Sequence, residues 1–383
     1  MAQADMTELT ALLKKLVSIN SVNPDLVPEA SGEKEIASFI AGWLKNCGLE
    51  VYMEDCGRDG RPNIVAIARG AGGGRSLMLN AHMDTVGTSG MKRPFDPDIR
   101  GGHLFGRGAL DTKGALAAFM LATAEAGKSG LKGDVILTAV ADEEFGSVGT
   151  DAIAHRWKAD AAIVGEPTGL ELVIAHKGFA WFEIETRGFA AHGSLPDVGV
   201  DAIVKMGKVL EGLDTMASQL AASECHPLLG PGSVHASLIE GGQELSSYPA
   251  SCRLSIERRT LPGEDIEAIE EGLRSMLDRI RRDDPAFSAS LKTMLFRGPL
   301  EASMKEPIVE VLARHTTTCM GKEPGYKGMG GWMDSAVLAA AGIPSVVFGP
   351  AGEGLHGTDE WVDLASVQQC YEIVLGTIKD FCG

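Results

Sequence analysis

Between residues 62 and 166, short apolar runs alternate with a longer alanine-rich segment, and this alternation constrains the fold more than any other feature of the chain. The runs at 63–68, 76–81, 135–140 and 161–164 are bounded by turn signals. Strands buried on both faces of an α/β sheet read this way. The longer segment, 113–126, reads as a helix. The same texture returns late in the chain, with helices predicted at 307–317 and 335–341 and a buried strand at 345–348. One sheet is therefore expected to draw on both ends of the chain. The middle differs: 180–186 (AWFEIET), 234–239 (VHASLI) and 252–257 (CRLSIE) alternate like half-exposed strands, separated by helices predicted at 200–220 and 264–281. In the second of these helices Ile266, Ile269, Leu273, Met276, Leu277 and Ile280 recur at helical spacing, with acidic residues crowding its start and arginines its end. A final strand near 287–295 completes the order β-α-β-β-α-β, a ferredoxin-like split unit inserted into an α/β domain. A chain of 383 residues exceeds what a single growing core serves well, so the expected division is 1–178, 179–296 and 297–383.

A formal charge of -17 makes an extended basic surface improbable, which argues against nucleic acid and anionic membranes as partners and for a small molecule or peptide. The seven cysteines are scattered, odd in number and without a C-x-x-C pair, as in a protein of a reducing, cytoplasmic compartment. The first residues read as an amphipathic helix with Thr7 as its N-cap rather than as a signal peptide, and apolar runs such as 116–123 are too short to span a membrane.

His82, Asp111, the pair Glu143 and Glu144, Glu166 and His356 each follow a predicted strand or its turn. Open α/β sheets bind ligands outside the carboxyl ends of their strands, so these residues can converge from most of the chain. Two histidines with several carboxylates suit zinc, cobalt or manganese, and a shared Asp is what a two-metal site needs to hold ions about 3.5 to 4 Å apart. Each signal is weak alone. A lone histidine is more often an ordinary hydrogen-bonded one, and adjacent acids are usually a solvated turn. Yet Asp84 stands two residues after His82, close enough to orient its imidazole, and Glu143 and Glu144 follow a buried run. One acid of such a pair can bind metal while the other moves a proton. GRGALDTKG around Asp111 is neither a P-loop nor a dinucleotide fingerprint. No G-x-S-x-G elbow is present, and no cysteine has an evident histidine partner.

Taken in order, AHMDTV, GRGALDTKG, DEEFGS, VGEPTG, GFAAHGSLPDVGVDA and LHGTDEWV resemble the aminoacylase, acetylornithine deacetylase and succinyl-diaminopimelate desuccinylase family of dizinc hydrolases over nearly the whole chain. The resemblance implies an α/β fold with a zinc-exopeptidase-like mixed sheet flanked by helices and an inserted ferredoxin-like lid or dimerisation domain. It implies that His82, Asp111 and Glu166 bind one zinc and Asp111, Glu144 and His356 the other, with cobalt or manganese as possible substitutes, and that Glu143 is the base. Asp84 would orient the first histidine, and Glu360 would support the closing H-x-x-D-E stretch. His192 would stabilise an oxyanion, often in a dimer partner's site. Arg259 would bind a substrate carboxylate or form a surface salt bridge, and here Glu257 stands where the family usually has Asp. The GGWMDSAVL stretch lacks the hydroxyls and arginine of desuccinylases and is closer to acetylornithine-deacetylase-type sequences. Trp332 within it either shapes the acyl pocket or packs under the loop.

The expected activity is thus metal-dependent hydrolysis of an amide in a small N-acyl amino acid by a homodimer. The alternatives are a dipeptidase or carboxypeptidase, a succinyl-diaminopimelate desuccinylase, or a binding protein that has lost catalysis.

Overall fold

Four buried runs lie side by side and parallel at the centre of the main sheet, in a computed structural model that describes residues 2–57, 60–223 and 225–383. They are Val135–Val140, Leu77–His82, Ala161–Val164 and Ser345–Val347, in that spatial order. Every residue in all four is buried, which is why the sequence shows continuous apolar runs here rather than alternation. Antiparallel strands extend the sheet on one side through Pro62–Ala68 and Glu50–Asp55, and on the other through Leu172–His176.

The chain folds as two units, one of residues 1–174, 302–327 and 333–383, the other of residues 175–301 and 328–332. The sequence placed the divisions at 178/179 and 296/297 and did not separate the short Gly328–Trp332 loop from its neighbours. In the first unit the helix Gly114–Ala126 is buried along almost its whole length. It packs between the sheet and the helices Ala2–Val17 and Leu364–Phe381, and its alanines allow that approach on several faces at once. Gly165 is needed for the same reason: a Cβ there would stand 2.9 Å from both Ala115 and Phe119. The first helix runs Ala2–Val17, so Thr7 lies inside it and is not its N-cap. Nothing in the preceding AQADM breaks a helix.

The second unit is the expected split unit. Its strands are Gly178–Arg187, Ser233–Gly241, Ser251–Thr260 and Ser288–Arg297, and the second, third, first and fourth of these lie side by side in that order, every neighbouring pair antiparallel. This is the ferredoxin-like arrangement. The helices Ala202–Ala222 and Ile266–Asp283 pack on one face through Met206, Val209, Leu213, Leu273, Met276 and Leu277. Each begins at an Asp whose side chain accepts a backbone N–H, Asp201 from Val204 and Asp265 from Ala268.

Candidate active site

The carboxyl ends of the parallel strands deliver the first candidate ligands. His82 ends its own strand, Glu143 and Glu144 follow Val140 by a short turn, and Glu166 follows Val164. His82 and Glu166 meet Asp111, with His82 Nε2 3.1 Å from Asp111 Oδ1 and 3.7 Å from Glu166 Oε1. On the other side of Asp111, His356 Nε2 lies 3.3 Å from Oδ2 and 3.2 Å from Glu144 Oε2. Two groups of donors therefore share one carboxylate, His82, Asp111 and Glu166 in one and Asp111, Glu144 and His356 in the other, with donor atoms within 4.8 Å of one another in each.

Asp111 sits in a turn, Ala109–Lys113, whose backbone leaves helical geometry at Asp111 and Thr112 and whose Asp111–Thr112 peptide is cis. Glu360 holds that turn. Its Oε1 accepts the Leu110 and Asp111 N–H groups at 2.9 and 3.1 Å, and its Oε2 accepts Gly108 N–H at 3.0 Å and Arg107 Nη1 at 2.6 Å. Arg107 also donates Nη2 to the Gly357 carbonyl at 2.8 Å. The buried Arg107–Glu360 pair thus ties the Asp111 turn to the loop bearing His356, which adopts left-handed backbone with φ 57, a conformation that costs a residue with a Cβ about 1 kcal/mol or more. The sequence named Glu360 as support. Arg107 carried no signal beyond its place in a glycine-rich motif.

Asp84 acts differently from the expectation. Its backbone carbonyl, not its carboxylate, accepts His82 Nδ1–H at 2.9 Å, while Oδ1 is 3.7 Å away. The carboxylate instead accepts the N–H groups of Glu143 and Glu144 at 3.1 and 3.2 Å. The imidazole is still oriented, because a proton committed to Nδ1 leaves the Nε2 lone pair facing Asp111, free to take a cation.

The charges at the centre ask for a cation. Burial first, then the Glu166 carboxylate, push Glu143 well above the usual carboxylate range. Burial likewise raises Glu166 and Glu144. Burial would lower His82, but the hydrogen bond to Asp111 and the charge of Glu166 raise it well above the ordinary value. Hydrogen bonds to Asp111 and Glu144 raise His356 to about 10. Several carboxylates buried with two imidazoles make a charge distribution that bound cations would neutralise. Glu144 Oε1 is buried with no hydrogen-bond partner among the described residues, as expected of an oxygen that a cation would take. Imidazole nitrogens with carboxylate oxygens match the donor chemistry of zinc and its neighbours, so the residues fit two divalent ions. Asp334, which the sequence left within a loop, is a further buried acid facing this centre. It accepts Thr150 Oγ1–H at 2.6 Å, and burial pushes it up to about 6.

His192, Arg259 and Trp332 belong to the second unit. His192 is exposed, with Nδ1 2.8 Å from Ser194 Oγ. Arg259 donates Nε to Glu257 at 2.7 Å and lies 5.5 Å over the Phe179 ring. Trp332 is half-buried, donates to the Gly298 carbonyl at 2.9 Å, and meets Phe179 edge-on at 5.9 Å.

Residues 78–380 match the sequence model of peptidase family M20/M25/M40. Acetylornithine deacetylase of Myxococcus xanthus is 30% identical, covering 98% of both chains. N-formyl-4-amino-5-aminomethyl-2-methylpyrimidine deformylase of Halalkalibacterium halodurans is 28% identical, covering 98% of this chain and 94% of that protein. Among solved structures, a tripeptidase from Staphylococcus aureus superposes with a TM-score of 0.80 at 20% identity, covering 98% of both chains.

Proposed function

The chain belongs to peptidase family M20/M25/M40, and on that premise we propose that it removes the acyl group from a small N-acyl amino acid, with two zinc ions held around Asp111. It is a hydrolase acting on amides. The finer reading rests on one observation: Asp111 is shared by two donor groups, and Glu143, beside the ligand-type Glu144, belongs to neither. His82, Asp111 and Glu166 would hold one ion, Asp111, Glu144 and His356 the other. When bound, the ions supply polarisation of the amide carbonyl and a lowered pKa for water. Glu143 takes a proton from the attacking water as its oxygen bonds to the carbonyl carbon. It then returns the proton to the amine nitrogen as the C–N bond breaks. Asp84 keeps that carboxylate in place through the backbone, and Glu360 with Arg107 keeps Asp111 and His356 in register. His192 as stabiliser of the oxyanion, Arg259 as binder of the substrate carboxylate and Trp332 as a wall of the acyl pocket complete the proposal.

The deacetylase and deformylase among the relatives favour an N-acyl substrate over a dipeptide. A panel of N-acetyl, N-formyl and N-succinyl amino acids beside dipeptides, assayed with zinc, cobalt and manganese, tests this. Preferred turnover of an N-acetyl or N-formyl compound is expected, and preferred cleavage of dipeptides would replace the deacylase reading with a peptidase one.

The same proposal includes a homodimer formed by the second unit. Ser233–Gly241 is an edge strand of its sheet, with Leu238 and Ile239 exposed at 72% and 55%. Ile203 and Val204 are also exposed at the start of the adjoining helix. An open edge flanked by apolar side chains favours pairing with a second copy. Leu238→Glu is expected to convert a dimer to a monomer in light scattering, and a wild-type monomer would remove the proposal. A cytoplasmic location is proposed from the scattered cysteines, which form no disulfide among the described residues. No helix among those residues is long and apolar enough to cross a membrane.

A further inference from the structure

Behind the ligands lies a buried polar layer of which the proposal above uses only Asp84. Asn23, Glu33, Asp84 and Asp142 are each 0% exposed, and Arg61 is 5% exposed. Asn23 Nδ2 donates to two carboxylates at once, Asp84 Oδ2 at 2.8 Å and Asp142 Oδ1 at 3.1 Å. The orientation of this amide is settled locally, because its Oδ1 accepts the Asp25 N–H at 2.9 Å, leaving the nitrogen to face the acids. Asn23 is itself fixed through its backbone, donating N–H to the Thr85 carbonyl at 2.9 Å. Arg61 completes the layer, donating Nη2 to Asp142 Oδ1 at 3.1 Å and gripping Glu33 with Nε at 2.7 Å and Nη2 at 2.6 Å.

The two acids that Asn23 joins are the two supports of the Glu143–Glu144 turn. Asp142 immediately precedes Glu143 and has left-handed backbone, φ 70, a conformation that needs outside support in a residue with a Cβ. Asp84 caps the N–H groups of both glutamates and, through its carbonyl, fixes His82. A shift of Asp84 or Asp142 would therefore carry the base and ligands with it. We propose that Asn23 and Arg61 are positioning residues, acting through Asp84 and Asp142 to hold Glu143 and Glu144 where a proton and a cation must be met. The inference rests on the reading of Glu143 as base and Glu144 as ligand. A purely stabilising role explains the layer poorly, since several buried carboxylates around one guanidinium seldom stabilise a fold better than well-packed apolar residues, whereas sites demand placement to about 0.5 Å.

Asn23→Leu, similar in branched shape but without donors, separates the roles, and Arg61→Lys, which keeps a cation in the layer, serves as the second variant if the first does not fold. Each folded variant, verified by circular dichroism, is loaded with zinc and dialysed against a competing chelator, and its metal content is measured beside kcat and KM. The expected result is a metal content falling from two ions toward one, with retention of the weaker ion and kcat each reduced about 10- to 100-fold and KM changed less than twofold. A folded variant that keeps both ions and wild-type kcat, losing only thermal stability, would overturn the inference and leave the metal reading intact. A wild-type protein that takes up no metal would overturn both. Because metal retention is read directly, the outcome does not depend on any substrate in the panel being turned over.

Discussion

Glu143→Gln is expected to lower turnover by about 10²- to 10⁴-fold, the range for removal of a general acid–base group, while both metal ions stay bound. Glutamine keeps the volume and leaves the two donor groups around Asp111 complete, since Glu143 is in neither. It removes the only thing the proposal asks of this residue, a carboxylate that can take up a proton and give it back. Elemental analysis reading two ions beside a residual rate checks both halves. A variant with most of its activity intact would sink the assignment of the base, and one that had lost an ion would make Glu143 a ligand.

The same substitution has a second, opposite effect on the metal-free protein. Burial and Glu166 hold the folded-state pKa of Glu143 well above its ordinary 4.5. The contribution of a carboxyl raised in this way is fully present below about 4.5 and is lost as pH rises through the folded value. Metal-free Glu143→Gln should therefore match the wild type near pH 4 and melt higher at neutral pH. Thermal melts of chelator-treated protein at the two pH values measure the difference.

Asp111→Asn should empty both halves of the centre. Asp111 offers Oδ1 toward His82 and Oδ2 toward His356, and an amide replaces one of these acceptors with a donor. Turnover should fall about 10³-fold or more, because several kcal/mol of transition-state stabilisation leave with the ions. Glu166→Gln should cost mainly one ion, so the two metal contents together test whether Asp111 is shared. Metal-free stability should move the other way from Glu143→Gln. Burial opposes ionisation of Asp111, but hydrogen bonds from His356 and His82 prevail and hold its pKa below 3.8. Its contribution is therefore present above about pH 3.8 and lost as pH falls below it. At neutral pH the metal-free Asn variant should melt lower than the wild type, by a margin that closes in acid. Two carboxylates in one pocket thus carry opposite signs, because one is paired with imidazoles and the other is buried without such a partner and crowded by Glu166.

Continuous apolar runs at 63–68, 76–81, 135–140 and 161–164 were enough to identify buried strands, since a strand covered on both faces has no polar positions to show. Alternation at 180–186 and 252–257 marked the sheet of the second unit for the converse reason, and helical spacing from Ile266 to Ile280, with acids before it and arginines at its end, marked the second of its helices. The ends of the predicted buried strands and the turns after them led to His82, Asp111, Glu143, Glu144, Glu166 and His356, while motif order over the whole chain divided the roles among them.

Local pattern by itself determined the central buried strands, the strands and helices of the second unit and where ligand residues could gather, because periodicity and turn chemistry act between neighbours in the chain. Tertiary structure alone decided the supports. Asp84 was legible as a partner of His82, yet its carboxylate serves Glu143 and Glu144, some 60 residues away. Arg107 meets Glu360 across 253 residues, and Asn23 reaches Asp142 across 119. A buried donor must find an acceptor somewhere, but the sequence has no period that says which one. That choice is made only when the strands bring their ends together.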